Sequence, residues 1–288
     1  MPYVYLIISI FCGASSSIFG GFYSRRTADK KDASALYGFL ELATVFLLWT
    51  VLFITKFSFE VKVLPYSLLF AVFFTMGMVG KIFALKTGPV LLTTLVIQSS
   101  LIAASLWGIA FWEAKMSVKV GVGLLLILLS LWLCLYNGKR EENKKISAKW
   151  VFFSVLSFVG NAGCTIVQRT QQTQFNGEHG NMLMFFATFF AMLLGLCVYL
   201  KSDKTDTKAL LKTEAYWSVL GGAGNVALNF FVMLLAVSEL SPSLIYPSIA
   251  VGGLIVTTLF SLFAFKEKMK WWQWLGVAIG IFATGLLS

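Results

Sequence analysis

Charge is scarce in this sequence. Asp, Glu, Lys and Arg together make up 12% of its 288 residues, about half the roughly 25% carried by soluble domains. So few charges cannot cover a water-facing surface, so a soluble enzyme, a nucleic-acid-binding domain and a disordered chain are excluded together. Histidine occurs once, as His179 in the polar stretch 170–180, which leaves no His-based catalysis and no His metal site inside an apolar segment. There is no HExxH pattern. Cysteine occurs four times, as Cys12, Cys134, Cys164 and Cys197, each within an apolar run and none in a CxxC pair. They read as small packing residues, not a disulfide framework or a metal site. No basic segment precedes the first apolar run, as a signal peptide would require, and no polar stretch is long enough to form a domain of its own.

What the sequence has instead is long apolar runs. Hydrophobic residues make up 58% of it and aromatic residues 16%. A membrane-crossing helix needs about 20 mostly apolar residues, and ten runs qualify: Tyr3–Tyr23, Ser34–Thr55, Tyr66–Leu85, Pro89–Trp112, Val120–Tyr136, Trp150–Gln168, Met182–Leu200, Ala215–Val237, Pro242–Phe265 and Trp271–Leu287. The runs are continuous and do not alternate with polar residues, which excludes a β-barrel. Trp271, Trp272 and Trp274 read as an interfacial anchor of the last span. The expected fold is therefore an all-α integral membrane protein of ten transmembrane helices.

The longest polar stretch, 138–149, is basic and divides the chain into 1–137 and 150–288, with five spans on each side. The halves share a pattern. ALKTGPVLLTT and FWEAKMSVKVGVGLLLILLS in the first half answer AVSELSPSLIYPS and FKEKMKWWQWLGVAIGIFAT in the second. Pro89 matches Pro242, Met116 matches Met269 and Gly123 matches Gly276 at one offset of 153, while Glu113 and Glu267 match after a one-residue gap. An odd number of spans per copy forces the two copies to insert with opposite orientation, as inverted repeats of secondary transporters do.

On this duplicated set the chain resembles the drug/metabolite transporter superfamily, in its ten-helix EamA-like branch. The features that carry the resemblance are the Ala-to-Pro entries at Ala84–Pro89 and Ala236–Pro242, and the Glu and Gly that follow in each half. The resemblance implies a secondary transporter of a small organic metabolite or drug, without a cofactor, working by alternating access through a cavity lined by the first, third, fourth, sixth, eighth and ninth spans. It implies a bacterial cytoplasmic membrane, a small-molecule substrate and the lipid bilayer as partners, no nucleic acid, and a monomer or homodimer. A flippase for a lipid-linked sugar is the alternative within the same superfamily; an intramembrane enzyme or a channel fits the residues less well.

Candidate functional residues are polar groups at depth. By the helical rise, Gln98 lies roughly 14 Å into the fourth span, Asn161 roughly 16 Å into the sixth and Asn225 roughly 15 Å into the eighth, all near the middle of a hydrocarbon layer about 30 Å thick. Asn229 shares a helix face with Asn225. Tyr246 precedes Pro247, which frees a backbone carbonyl. These five are the candidate substrate ligands. Glu41 and Lys81 are charges inside the second and third spans, where pairing or a water-filled cavity must offset their desolvation. They are expected to form an ion pair that couples transport to a proton. Lys86 is expected to snorkel to the membrane edge. Of the 23 Lys and Arg residues, 17 fall in connections after odd-numbered spans and 5, Arg169 among them, after even ones. The positive-inside rule then places both termini outside.

Overall fold

The computed structural model describes residues 1–27, 30, 33–87, 90–111, 117–135, 147–264 and 270–287. Pro89, Glu113, Met116, Glu267 and Met269, which carry much of the repeat pattern, lie outside the described residues. Among those described the fold is entirely helical. The helices are α1 (Pro2–Arg26), α2 (Ala33–Thr55), α3 (Leu64–Thr87), α4 (Val90–Phe111), α5 (Val118–Leu135), α6 (Ala148–Gln174), α7 (Gly180–Leu200), α8 (Thr207–Thr213), α9 (Ala215–Ala236), α10 (Pro242–Ala264) and α11 (Trp271–Leu287), with a 3-10 turn at Val61–Val63 before α3. In hydrocarbon every backbone N–H and C=O needs an internal partner, and a helix supplies one within its own segment.

Among the described residues, six helical segments are long and apolar enough to cross a bilayer: Pro2–Tyr23, Ala35–Thr55, Val61–Lys81, Ala148–Gln174, Gly180–Leu200 and Ala215–Ala236. They fit a multi-pass integral membrane protein. In α4, α5, α10 and α11 the described apolar stretches are shorter: Ser100–Phe111, Val118–Ser130, Pro242–Thr257 and Trp271–Ala283. The sequence leads to ten helices, and the described residues form eleven. The addition is α8, seven residues of a polar connection whose Leu210 is buried against Tyr23, Ala33 and Leu36. Helix α6 also runs beyond Gln168, because Gln and Thr continue a helix and nothing breaks it before Asn176 and Gly177. There the backbone turns through positive φ at Asn176, Gly177 and His179, and Gln171 Nε2 donates to the Glu178 carbonyl at 2.9 Å to hold the turn. The polar loop expected over 170–180 is thus mostly helix.

The chain forms two compact units, each drawing on both halves of the sequence. The first comprises Tyr3–Ala71 with Thr170–Val237; the second comprises Val72–Arg169 with Ser238–Ser288. In the first unit α2 packs on α7 and α9. Phe53 stacks on Phe185 with ring centres 4.8 Å apart, and Phe53 is buried with Val63, Met182 and Leu183. The face of α2 that bears Leu47, Val51 and Ile54 is exposed, as a lipid-facing stripe would be. Helix α1 lies against α9 at small residues: a methyl built on Gly224 would meet Ser15 Oγ at 2.5 Å and the Cys12 carbonyl at 3.1 Å.

In the second unit α5 packs on α11 and α4 on α10. Their shared core is Ile102, Leu124, Ile127, Leu244, Val251, Leu254, Val277 and Ala283. Ser130 Oγ donates to the Gly276 carbonyl at 2.7 Å across α5 and α11. Ser105 Oγ reaches the Pro242 carbonyl at 3.3 Å across α4 and α10. Helix α3 meets α6 backbone to backbone. Methyls built on Gly160 and Gly80 would lie 2.2 Å from Gly77 N and 2.5 Å from Ser157 N, and Ser157 Oγ donates to the Gly77 carbonyl at 3.1 Å. Lipid tails are as apolar as Leu side chains, so helices in a membrane associate through such close approaches and interhelical hydrogen bonds.

Candidate functional site

In the first unit a polar column runs between α1, α2 and α9. Its charged member is Glu41, half-buried in α2, whose Oε1 accepts from Ser16 Oγ of α1 at 3.4 Å. Tyr37 stands one turn earlier on the same face of α2. Its hydroxyl fits between α1 and α9 because both present glycine there: methyls built on Gly20 and Gly221 would lie 3.3 Å and 2.5 Å from Tyr37 Oη. The Gly221 position is also 3.8 Å from Glu41 Oε1. On α9 the column continues, one turn at a time, to Asn225 and Asn229, where Asn229 Nδ2 donates to the Asn225 carbonyl and to Asn225 Oδ1, both at 2.9 Å. The expected i, i+4 relation of the two asparagines is therefore present, and Glu41 shares this region with them. Lys81 belongs to the second unit, where its side chain is exposed on α3.

In the second unit Asn161 lies where α6 crosses α3. Its Nδ2 donates to the Ser157 carbonyl at 2.9 Å and reaches Ser157 Oγ at 3.4 Å. Tyr246 is 1% exposed on α10, and its hydroxyl lies beside the guanidinium of Arg169. Gln98 falls within helix α4, and its side chain lies outside the described residues. The structure thus groups Glu41, Asn225 and Asn229 in one unit, and Asn161 and Tyr246 in the other.

Three groups escape a reading of the sequence alone. Arg169 is assigned there to a connection, whereas the structure buries it inside α6 with 8% exposure, next to buried Gln168, Gln171 and Gln172. The signal was available: QRTQQTQ contains no helix breaker. Tyr37 and Ser16 surround Glu41, and the four-residue spacing of Tyr37 from Glu41 is a sequence cue for the first of them. The third group lies at one end of the first unit, where Glu214 Oε1 is 3.8 Å from Arg26 Nη1 and Glu214 Oε2 accepts from Trp217 Nε1 at 3.1 Å. Phe22 stacks on Trp217 with centres 4.6 Å apart, and Arg26 lies 5.6 Å over the same indole. Lys30 and Asp206 pair beside it at 3.8 Å.

This end of the unit can be dissected with two substitutions. Glu214→Gln keeps an acceptor for the indole and removes only the ion pair to Arg26, whose side chain is half exposed while that of Glu214 is largely buried, so it should lower stability by about 1 kcal/mol. Glu214→Ala also strips Trp217 of its acceptor and should cost about 1–3 kcal/mol. Thermal unfolding of the two detergent-purified variants checks the difference; equal losses would mean that the indole hydrogen bond contributes nothing.

No family model matches the chain, and no curated protein matches it either. A solved structure known as "Crystal structure of protein" is similar over 99% of this chain and 95% of its own, with a TM-score of 0.72 at 13% identity. That likeness concerns the fold.

Proposed function

We propose that this protein is a secondary transporter that moves a small organic solute by alternating access, built as two inverted five-helix halves, 1–137 and 150–288, whose ten spans are α1–α7 and α9–α11. The observation that carries this reading is the pairing of helices. Helices in the same position of each half pack on one another: α2 on α7, α4 on α10 and α5 on α11. The first helix of one half also packs on the third helix of the other, in both senses, as α1 with α9 and α3 with α6. A two-fold relation between halves produces both kinds of pairing. In that arrangement Gln98, Asn161, Asn225, Asn229 and Tyr246 serve the solute, and Glu41 carries a coupling proton. With Arg169 inside a helix, the Lys and Arg bias between connections is larger than the sequence count suggests, which supports odd connections in the cytoplasm and termini outside.

Purified protein in liposomes tests the reading against the flippase alternative. Saturable uptake of a solute from a panel of amino acids and other small metabolites, without translocation of a fluorescent lipid, is the expected result. Lipid translocation without solute uptake would overturn it. Asn225→Ala should cost only about 0.6 kcal/mol of stability, the usual worth of an intramembrane hydrogen bond, yet lower the apparent affinity for that solute about tenfold, the effect of losing roughly 1.4 kcal/mol of ligand contact. Unchanged affinity would remove Asn225 from the site.

A further inference from the structure

The connection between α7 and α9 carries a charged surface of its own. The crossing segments Gly180–Leu200 and Ala215–Ala236 end and begin on either side of it, so residues 201–214 start and finish at one membrane face. The segment, KSDKTDTKALLKTE, mixes four lysines with three acids, and by composition it is nearly neutral. The structure separates the two signs. Each acid has an intramolecular partner: Glu214 faces Arg26 and Trp217, Asp206 pairs with Lys30, and Asp203 Oδ1 accepts from the Thr205 N–H at 3.0 Å. The lysines stay at the surface, with Lys204 Nζ lying 5.8 Å over the Tyr199 ring. Lys201, Lys204, Lys208 and Lys212 are all exposed, and none forms an ion pair with a described residue. Lys208 and Lys212 stand one turn apart on α8. Beside them Leu211 is 46% exposed, while its neighbour Leu210 is buried in the first unit. Tyr216, at the start of α9, is 45% exposed.

We propose that α8, with the adjoining ends of α7 and α9, binds the phosphodiester headgroup of an anionic phospholipid. A short helix lying in the interface buries an apolar side chain at the acyl boundary and directs cationic side chains to headgroup phosphate. Leu211 supplies the first, Lys208 and Lys212 the second, and Tyr216 an interfacial ring. A zwitterionic headgroup brings its own ammonium toward the same lysines and cancels the attraction. The chemistry therefore selects a net negative lipid. The proposal needs only a membrane-embedded chain and stands apart from the transport reading.

The test uses the full-length protein in detergent, with phosphatidylglycerol or phosphatidylcholine added and bound lipid counted by native mass spectrometry. Wild type should retain phosphatidylglycerol in preference to phosphatidylcholine. The double variant Lys208→Gln/Lys212→Gln should lower that retention about thirtyfold, and Leu211→Gln should lower it as well. Lys62→Gln, outside this segment, should leave it unchanged. Thermal unfolding should show both α8 variants to be as folded as wild type. Retention in the double variant equal to wild type overturns the proposal. So does an equal fall for phosphatidylcholine, which would mean nonspecific adhesion, and so does displacement of the lipid by an equal concentration of glycerol phosphate, which would mean a site for the free anion.

Discussion

Gly160→Ala should leave little folded protein. In the crossing of α3 and α6 the added methyl would lie 2.2 Å from Gly77 N, 2.5 Å from Gly77 Cα and 2.6 Å from the Phe73 carbonyl oxygen. All three are backbone atoms, so no rotamer change can make room and the helices must separate. Two effects oppose each other. Alanine is the better helix former by about 1 kcal/mol, whereas overpacking usually costs about 1–3 kcal/mol and sometimes more. With backbone on both sides the cost should lie at or above the upper end of that range, and the clash wins. Separation would also break the Ser157–Gly77 hydrogen bond. Gly253→Ala is the control, because no described residue lies within 4 Å of a methyl there and only the propensity gain remains. Thermal unfolding in detergent measures both. A Gly160→Ala protein that melts with wild type would show that α3 and α6 do not meet at these glycines.

Glu41→Gln should abolish proton-driven accumulation while sparing the fold. Glutamine keeps the size of the side chain and an acceptor for Ser16 Oγ, and it leaves the fit of Tyr37 between Gly20 and Gly221 untouched, but it cannot exchange a proton. One proton per solute across a gradient of about one pH unit supplies roughly 1.4 kcal/mol, enough for about tenfold accumulation. In liposomes carrying that gradient, wild type should approach this ratio and the variant should equilibrate the solute without concentrating it. Accumulation by Glu41→Gln equal to wild type would remove the carboxylate from coupling. Loss of equilibration as well would assign Glu41 to solute binding.

Much of the helical skeleton can be read along the chain. The positions of α1, α2, α7 and α9 follow from apolar runs alone, because a lipid environment makes helix formation a local matter. The i, i+4 pairing of Asn225 with Asn229 is legible for the same reason, since both donor and acceptor belong to one helix. The extent of α6 was harder to read. Its polar end reads as a loop when hydropathy is the guide, and only the absence of a breaker before Asn176 and Gly177 argues otherwise. Helix α8 is not legible in the sequence, because seven residues carry no periodic signal that a polar connection does not also carry; what makes them helical is Leu210 finding Tyr23, Ala33 and Leu36.

By itself the sequence determined that the chain is helical and apolar enough for a multi-pass membrane protein, and where its long apolar runs lie, since these depend on composition over windows of about 20 residues. Only the tertiary structure decided which helices meet, and through which atoms. Gly77 and Gly160 are 83 residues apart and Gly20 and Gly221 are 201 apart, and nothing in either neighbourhood announces the other. Inside a bilayer hydrophobicity does not choose between one apolar helix and the next. The choice falls to close backbone approach and to a few hydrogen bonds, and these exist only once both partners are in place. The company that Glu41 keeps, the burial of Arg169 beside Tyr246, and the separation of acids from lysines around α8 were all decided in this way.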